Sequence, residues 1–356
     1  MSTDPKSAYR GIHNFFVNDS LRNILLNRGL MNYVQSLDDI DEETMNQGDI
    51  AERISQIPRY IDQYHSFYPL DQNFWSDNSI QEIDFAFGQS FRVIDSASAS
   101  PCCLRRISEH QILSIEQALT SADPWFKIKH PNIVSLKQVI STDQFGNDND
   151  LLFIYDYSPG AETLEEHFFI ETSRAPAEST LWSLICQCLS ALREIHSKNL
   201  AYRTFYTNKI IILPGLTNKR FKLNCSGMLD ILENTEEADI AAQQKEDFKH
   251  FGILLVELMC TFRELSDAPH ALSVLNNSES ISCKYSTELV DFVKTLLQDD
   301  IDLNKLISNI ALRYVDELST MYNYVDTIEN ELAKELENGR LFRLLVKLNF
   351  VAQHEE

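Results

Sequence analysis

The sequence predicts an α+β chain of two lobes, a small β-rich one and a larger helical one, followed by a helical coiled coil. Three patterns predict it. From Gln81 onward, short apolar segments alternate with turn residues; after Pro159, apolar residues recur at three- and four-residue steps; beyond Ser308 they fall on a heptad. At about 150 residues per domain, the 356-residue length has room for two or three compact units, which excludes a peptide-like or disulfide-stapled scaffold.

Residues 1–60 form an N-terminal segment expected to be partly flexible. Within it, Leu21, Ile24, Leu25 and Leu26 make an amphipathic stretch behind the capping pair Asp19-Ser20, and the acidic run from Asp38 to Glu43 reads as a solvated loop. A two-lobed domain is expected over 61–307. Its small lobe spans about 81–158, with strands read at Ile83 to Phe87, Phe91 to Ile94, Cys102 to Ile107, Ile133 to Ile140 and Leu151 to Tyr157. The helical lobe spans about 159–307, with amphipathic helices over Leu181 to Ile195, Phe248 to Phe262 and Leu289 to Leu297. Over 308–336, Ala311, Tyr314, Leu318, Met321, Val325, Ile328 and Leu332 step by 3, 4, 3, 4, 3 and 4. Those are the a and d positions of a coiled coil, with one amphipathic core helix as the alternative. The last unit, 337–356, holds the apolar run Leu341, Phe342, Leu344, Leu345, Val346, Leu348 and Phe350, which something must cover.

Charge and cysteine usage narrow the function classes. Lys plus Arg is 31 against 53 Asp plus Glu, a net charge of −22, so general binding to phosphate backbones is disfavoured. No apolar run approaches the roughly 18 residues of a membrane span, and a soluble chain with no membrane contact is expected. The seven cysteines (Cys102, Cys103, Cys186, Cys188, Cys225, Cys260 and Cys283) contain no CxxC pair and no matching histidine spacing. They read as reduced thiols, and Met1 to Arg10 has no signal-peptide pattern, so a cytosolic or nuclear compartment is expected. Only 10 glycines occur, about 3% against the usual 7%, which argues against a glycine-rich phosphate cradle.

A β-rich lobe followed by a helical lobe is the order of a protein kinase, and local strings resemble that family. His130-Pro131-Asn132-Ile133-Val134 resembles the entry to its fourth strand. Ile195-His196-Ser197-Lys198-Asn199-Leu200 resembles the end of the helix before the catalytic loop, and Asp247 to Leu258 the long buried helix of the large lobe. The residues of phosphoryl transfer are missing from the matching positions. A single Gly88 stands for the glycine loop. Cys102-Cys103-Leu104-Arg105 stands for Val-Ala-Ile-Lys, with a guanidinium that can still grip a phosphate. Ser121 falls where the helix glutamate belongs, with Glu116 and Asp123 nearby. Tyr202-Arg203-Thr204 stands for His-Arg-Asp and removes the base; Lys209 replaces the metal-binding asparagine; Cys225-Ser226-Gly227 replaces Asp-Phe-Gly. The expectation is a protein-kinase-like two-lobed pseudokinase without catalytic residues and without a metal.

Beyond the kinase strings, Tyr64 to Asp71, Cys103 to Ile107, Phe153 to Tyr157, Leu223 to Gly227 and Leu332 to Leu348 resemble the regulatory, non-catalytic subunit of the poly(A)-nuclease (PAN) deadenylation complex, over roughly residues 60 to 356. The resemblance implies an adaptor for shortening mRNA poly(A) tails, cytoplasmic and associated with P-bodies, that binds ATP without hydrolysing it. The adenine edge would meet Asp156, Tyr157, Ser158, Pro159, Gly160, Ala161, Glu162 and Thr163, and the phosphates Arg105, Asn208 and Lys209. The alternative is that Arg105 and Lys209 form surface ion pairs worth about 0 to 1 kcal/mol. It also implies a homodimer whose coiled coil closes through Leu318, Met321, Val325, Ile328 and Leu332, and a C-terminal knob, expected to be truncated, that grips the catalytic nuclease subunit. Poly(A)-binding protein, tryptophan-bearing adaptor proteins and poly(A) RNA are the further partners implied. A generic pseudokinase scaffold and an atypical active kinase are the rival readings, and from the residues alone the last helix would fold back as a cap.

Overall fold

The computed structural model describes residues 16–33, 37, 48–75, 88–108, 115–146, 150–215, 219–233, 239–262, 265–299 and 301–354. The loop read at Asp38 to Glu43 and the strand read at Ile83 to Phe87 lie outside the described residues.

The small lobe is one antiparallel sheet: β1 (Tyr60–Ile61), β2 (Tyr64–Pro69), β3 (Gln89–Asp95), β4 (Ser100–Ile107), β5 (Leu136–Thr142) and β6 (Asp150–Asp156), in the order β1-β2-β3-β4-β6-β5. It therefore starts upstream of residue 81, because Tyr64 and Phe67 of β2 are buried and extend the apolar face formed by Phe91 and Val93. Strand β6 is apolar almost throughout because both of its faces are covered. Leu151, Phe153 and Tyr155 point to the core shared with the helices, and Leu152 and Ile154 to a second core with Phe67, Phe91 and Phe145. Period-two alternation sorts one hydrophobic run onto two layers.

Two helices precede this sheet in the chain, α1 (Asp19–Tyr33) and α2 (Gly48–Ser55), and α3 (Ile115–Phe126) packs beneath it. The cap of α1 is Asn18 rather than the Asp19-Ser20 pair: its side-chain oxygen accepts from Ser20 N at 2.9 Å. Leu21 of α1 is buried, whereas Leu25 and Leu26 are exposed.

The large lobe contains a short sheet, β7 (Glu162–Thr163), β8 (Ile210–Leu213) and β9 (Arg220–Leu223), and the helices α4 (Glu178–Ser197), α5 (Met228–Glu233), α6 (Ile240–Cys260), α7 (Ala268–Asn277), α8 (Glu279–Lys284), α9 (Thr287–Leu296) and α10 (Leu303–Asn309). Buried residues of α4 and α6 form the centre of the core, where the side chains of Leu296 and Leu297 pack directly on Gly252. Their apolar residues recur at helical spacing, and burial rather than intrinsic propensity supplies most of the stability of such helices.

The chain ends in α11 (Ala311–Gln353), 43 residues without a buried residue. It runs unbroken through the expected boundary at residue 337 and does not fold back as a cap. Its first turns dock on α4, where Tyr314 donates to the Cys186 carbonyl at 3.0 Å and Glu317 accepts from Ser183 and Gln187. The heptad divides between two faces. Tyr314, Met321 and Ile328 are half-buried, whereas Leu318, Val325 and Leu332 are exposed and share a solvent-facing row with Val315, Tyr322 and Leu336.

Candidate functional site

The cleft between the lobes is organised by Asp247, a fully buried residue of α6. Its carboxylate lies 2.9 Å from His196 Nε2 and accepts the backbone N–H groups of Tyr202 at 2.8 Å and Arg203 at 2.6 Å. A buried charge is tolerable only with such donors. In return the carboxylate fixes the loop that follows α4.

Thr204 is buried, with its hydroxyl 3.3 Å from the Tyr202 carbonyl, and Tyr202 lies under the loop, donating to the Asn224 carbonyl at 2.8 Å. Burial holds the Tyr202 phenol well above its ordinary range, so it stays a donor. Arg203 adopts a left-handed backbone with φ 63° and turns its guanidinium to Asp230 at 3.2 Å and to Glu233. Burial raises the Asp230 carboxyl against the pull of Arg203.

Asp230 also accepts from Trp125 Nε1 at 3.0 Å, which joins α3 to α5 and the loop. Gly227 sits at φ 81° with the indole of Trp125 directly on it; an added Cβ would approach the ring to 2.5 Å. This glycine serves a left-handed turn and a close approach, not a flexible gate. The same is true of Gly88, where a side chain would run into the Arg106 carbonyl of β4.

The expected nucleotide-site residues are divided between the two lobes. Arg105 on β4 and Lys209 before β8 are buried at 9% and 4% exposure, so neither forms the surface ion pair weighed as the alternative. Desolvation alone would lower the Arg105 guanidinium, and its neighbours, the Asp71 carboxylate among them, raise it above its ordinary range instead. Asp71 accepts from the Ser90 amide at 2.7 Å and its hydroxyl at 2.5 Å, which places a carboxylate beside the turn that stands for the glycine loop. Sequence spacing singles out neither Asp71 nor Asp247 as an organiser, because the groups each one holds lie 19 and 44 or more residues away in the chain.

The segment Asp156 to Thr163 is half-buried throughout. Asp156 pairs with Lys137 at 2.9 Å. Gly160 adopts φ 69° and faces Met31 of α1 and Pro214, whose carbonyl accepts from Arg28 at 3.1 Å, so α1 rests against the connection between the lobes. Asn208 is half-buried next to Lys209, whose carbonyl accepts from Asn224 N at 2.9 Å. Of the expected seam residues, Leu318, Val325 and Leu332 share one exposed face, with Met321 and Ile328 on the other.

Residues 303–356 match the model of the Pan3 C-terminal knob domain family. The chain is 34% identical over 351 residues to the PAN2-PAN3 deadenylation complex subunit pan3 of Dictyostelium discoideum, covering 97% of this chain and 44% of that protein. It is 31% identical to the Homo sapiens PAN2-PAN3 deadenylation complex subunit PAN3, over 96% of this chain and 40% of that one. The chain thus spans about half the length of the curated relatives it matches. Among solved structures, it superposes on the Drosophila melanogaster PAN3 pseudokinase at TM-score 0.71 and 30% identity, over 82% of this chain and 76% of that chain. It also superposes on PAN3 (pseudokinase and C-term) from the complex with PAN2 (WD40-CS1) of Neurospora crassa, at TM-score 0.78 and 26% identity, over 96% of this chain and 79% of that chain.

Replacing Asp247 by Asn turns one acceptor oxygen into a donor facing buried N–H groups. The variant loses about 3 kcal/mol of folding stability, read as a lower midpoint in urea unfolding.

Proposed function

Because the chain belongs to the PAN3 family of pseudokinase subunits, we propose that it is the non-catalytic regulatory subunit of a deadenylation complex, recruiting and positioning a PAN2-type nuclease for shortening of mRNA poly(A) tails. The observation that carries this reading is α11, which leaves Leu341, Phe342, Leu345, Leu348 and Phe350 exposed in the region matching the knob domain. A continuous apolar surface of that kind is a binding site in want of a cover. The same reading places the protein in the cytoplasm and in P-bodies, with poly(A)-binding protein, tryptophan-bearing adaptor proteins and poly(A) RNA as further partners.

Phosphoryl transfer is not part of the function: Thr204 cannot accept a proton at neutral pH, and Lys209 and Cys225 stand where magnesium ligands are needed. The cleft holds ATP without turning it over. Two buried cations, Arg105 and Lys209, support that role, and they would face the phosphates in place of a metal.

Two chains pair along α11 through the row of Leu318, Val325 and Leu332, a heptad seam left exposed by the described residues.

The intact chain retains the PAN2-type nuclease subunit in a pull-down, and Leu345→Asp with Phe350→Asp releases it; equal retention by both places the contact elsewhere. In sedimentation the wild type runs as a dimer and Val325→Asp with Leu332→Asp as a monomer, whereas a dimer surviving those changes refutes the seam. ATP raises the melting temperature of the wild type, and Arg105→Ala with Lys209→Ala abolishes the shift. Absence of any shift in the wild type ends the nucleotide reading.

A further inference from the structure

A cluster that the adaptor role does not use lies on the large lobe at the turn after β7. Glu162 lies on β7, its backbone paired with Ile212. The six residues Glu166–Glu171 follow as a single wide turn of π geometry, closed by the Thr172 amide and hydroxyl on the His167 carbonyl at 3.2 and 2.8 Å. Such widened turns are rare and recur at functional sites. Its start is held by Thr163, whose amide and hydroxyl donate to Glu166 at 2.7 and 2.9 Å.

The consequence is that His167 and Glu171, one turn apart, share a face turned toward Glu162. His167 Nδ1 lies 3.0 Å from Glu162 Oε1 and 4.0 Å from Glu171 Oε2, and the three ligand atoms all lie within 4.8 Å of one another. Zinc bonds to nitrogen and oxygen of about 2.1 Å at the tetrahedral angle set ligand atoms about 3.4 Å apart, inside the range of those two separations. The imidazole is braced edge-on against Phe168 at 4.7 Å between ring centres.

Glu162 and Glu171 thus bring two carboxylates to the same imidazole. On the far side of the ring, Lys219 abuts His167 Nε2.

We propose that Glu162, His167 and Glu171 form a binding site for one borderline divalent cation, Zn²⁺ in the first instance, with water completing the coordination. One imidazole with two carboxylates suits Zn²⁺ and its first-row neighbours better than Mg²⁺, which prefers an all-oxygen octahedron. The cation would tie β7 to the turn that follows it, at the end of the segment Asp156 to Thr163 that the nucleotide reading assigns to the adenine edge. The proposal is independent of the adaptor reading, and either can fail without the other.

The test is calorimetric titration of the chelator-treated full chain with Zn²⁺ alone, comparing wild type with His167→Ala and Glu171→Gln. The wild type takes up one equivalent that both variants bind at least about tenfold more weakly. Glu171 is exposed at 61% of its side chain, so Glu171→Gln keeps the fold even if the histidine variant does not, and circular dichroism checks this. No zinc uptake by the wild type, or uptake that Glu171→Gln leaves unchanged, overturns the site.

Discussion

The buried carboxylate of Asp247 is the constraint on which the rest of the cleft depends. Once it is enclosed by α6, it must find donors, and it takes them from His196 and from the amides of Tyr202 and Arg203. That fixes the loop, which turns Arg203 to Asp230 and Glu233; Asp230 in turn holds Trp125, which seals Gly227. The chain of contacts runs from the centre of the large lobe to the helix under the small one. Every link is a structural contact, and none requires a reacting group.

The two ends of the molecule obey opposite energetics. From β2 to α10, apolar residues are buried in two cores, and the backbone is locked by capped helices and an antiparallel sheet. Among the described residues, α11, a helix about 65 Å long at 1.5 Å per residue, is anchored from Arg313 to Glu317 and near Glu331, which accepts from Asn18 N at 3.3 Å. Such a helix gains little from intrinsic propensity, so its stability comes from what covers its apolar rows. A body that closes on itself thus carries an arm whose apolar rows face solvent.

Particular residues show how far the sequence could be read. The alternation in Leu151 to Tyr157 and the helical steps in Leu181 to Ile195 gave strand and helix in the right places, because each pattern repeats with the geometry of its own backbone. The strand Tyr64 to Pro69 was visible only as part of a family string, since its Tyr-His-Ser-Phe-Tyr order carries a bulge between His65 and Tyr68 that breaks the alternation. In the terminal helix the heptad was legible but its division was not. Tyr314, Met321 and Ile328 turn toward the chain while Leu318, Val325 and Leu332 turn away, and that choice is made by the position of α4 and α1 rather than by the spacing.

By itself the sequence determined the order of lobes, the apolar periodicity of the terminal helix and the identity of the residues at each kinase position, because all three are properties of local order along the chain. Only the tertiary structure decided that Arg105 and Lys209 are buried, that Asp71 meets Ser90 and that Asp247 collects three donors. It likewise decided that Glu162 comes within reach of His167 and Glu171. Burial and long-range polar contacts depend on which segments meet in space, and a single chain's spacing does not encode which distant partner will arrive.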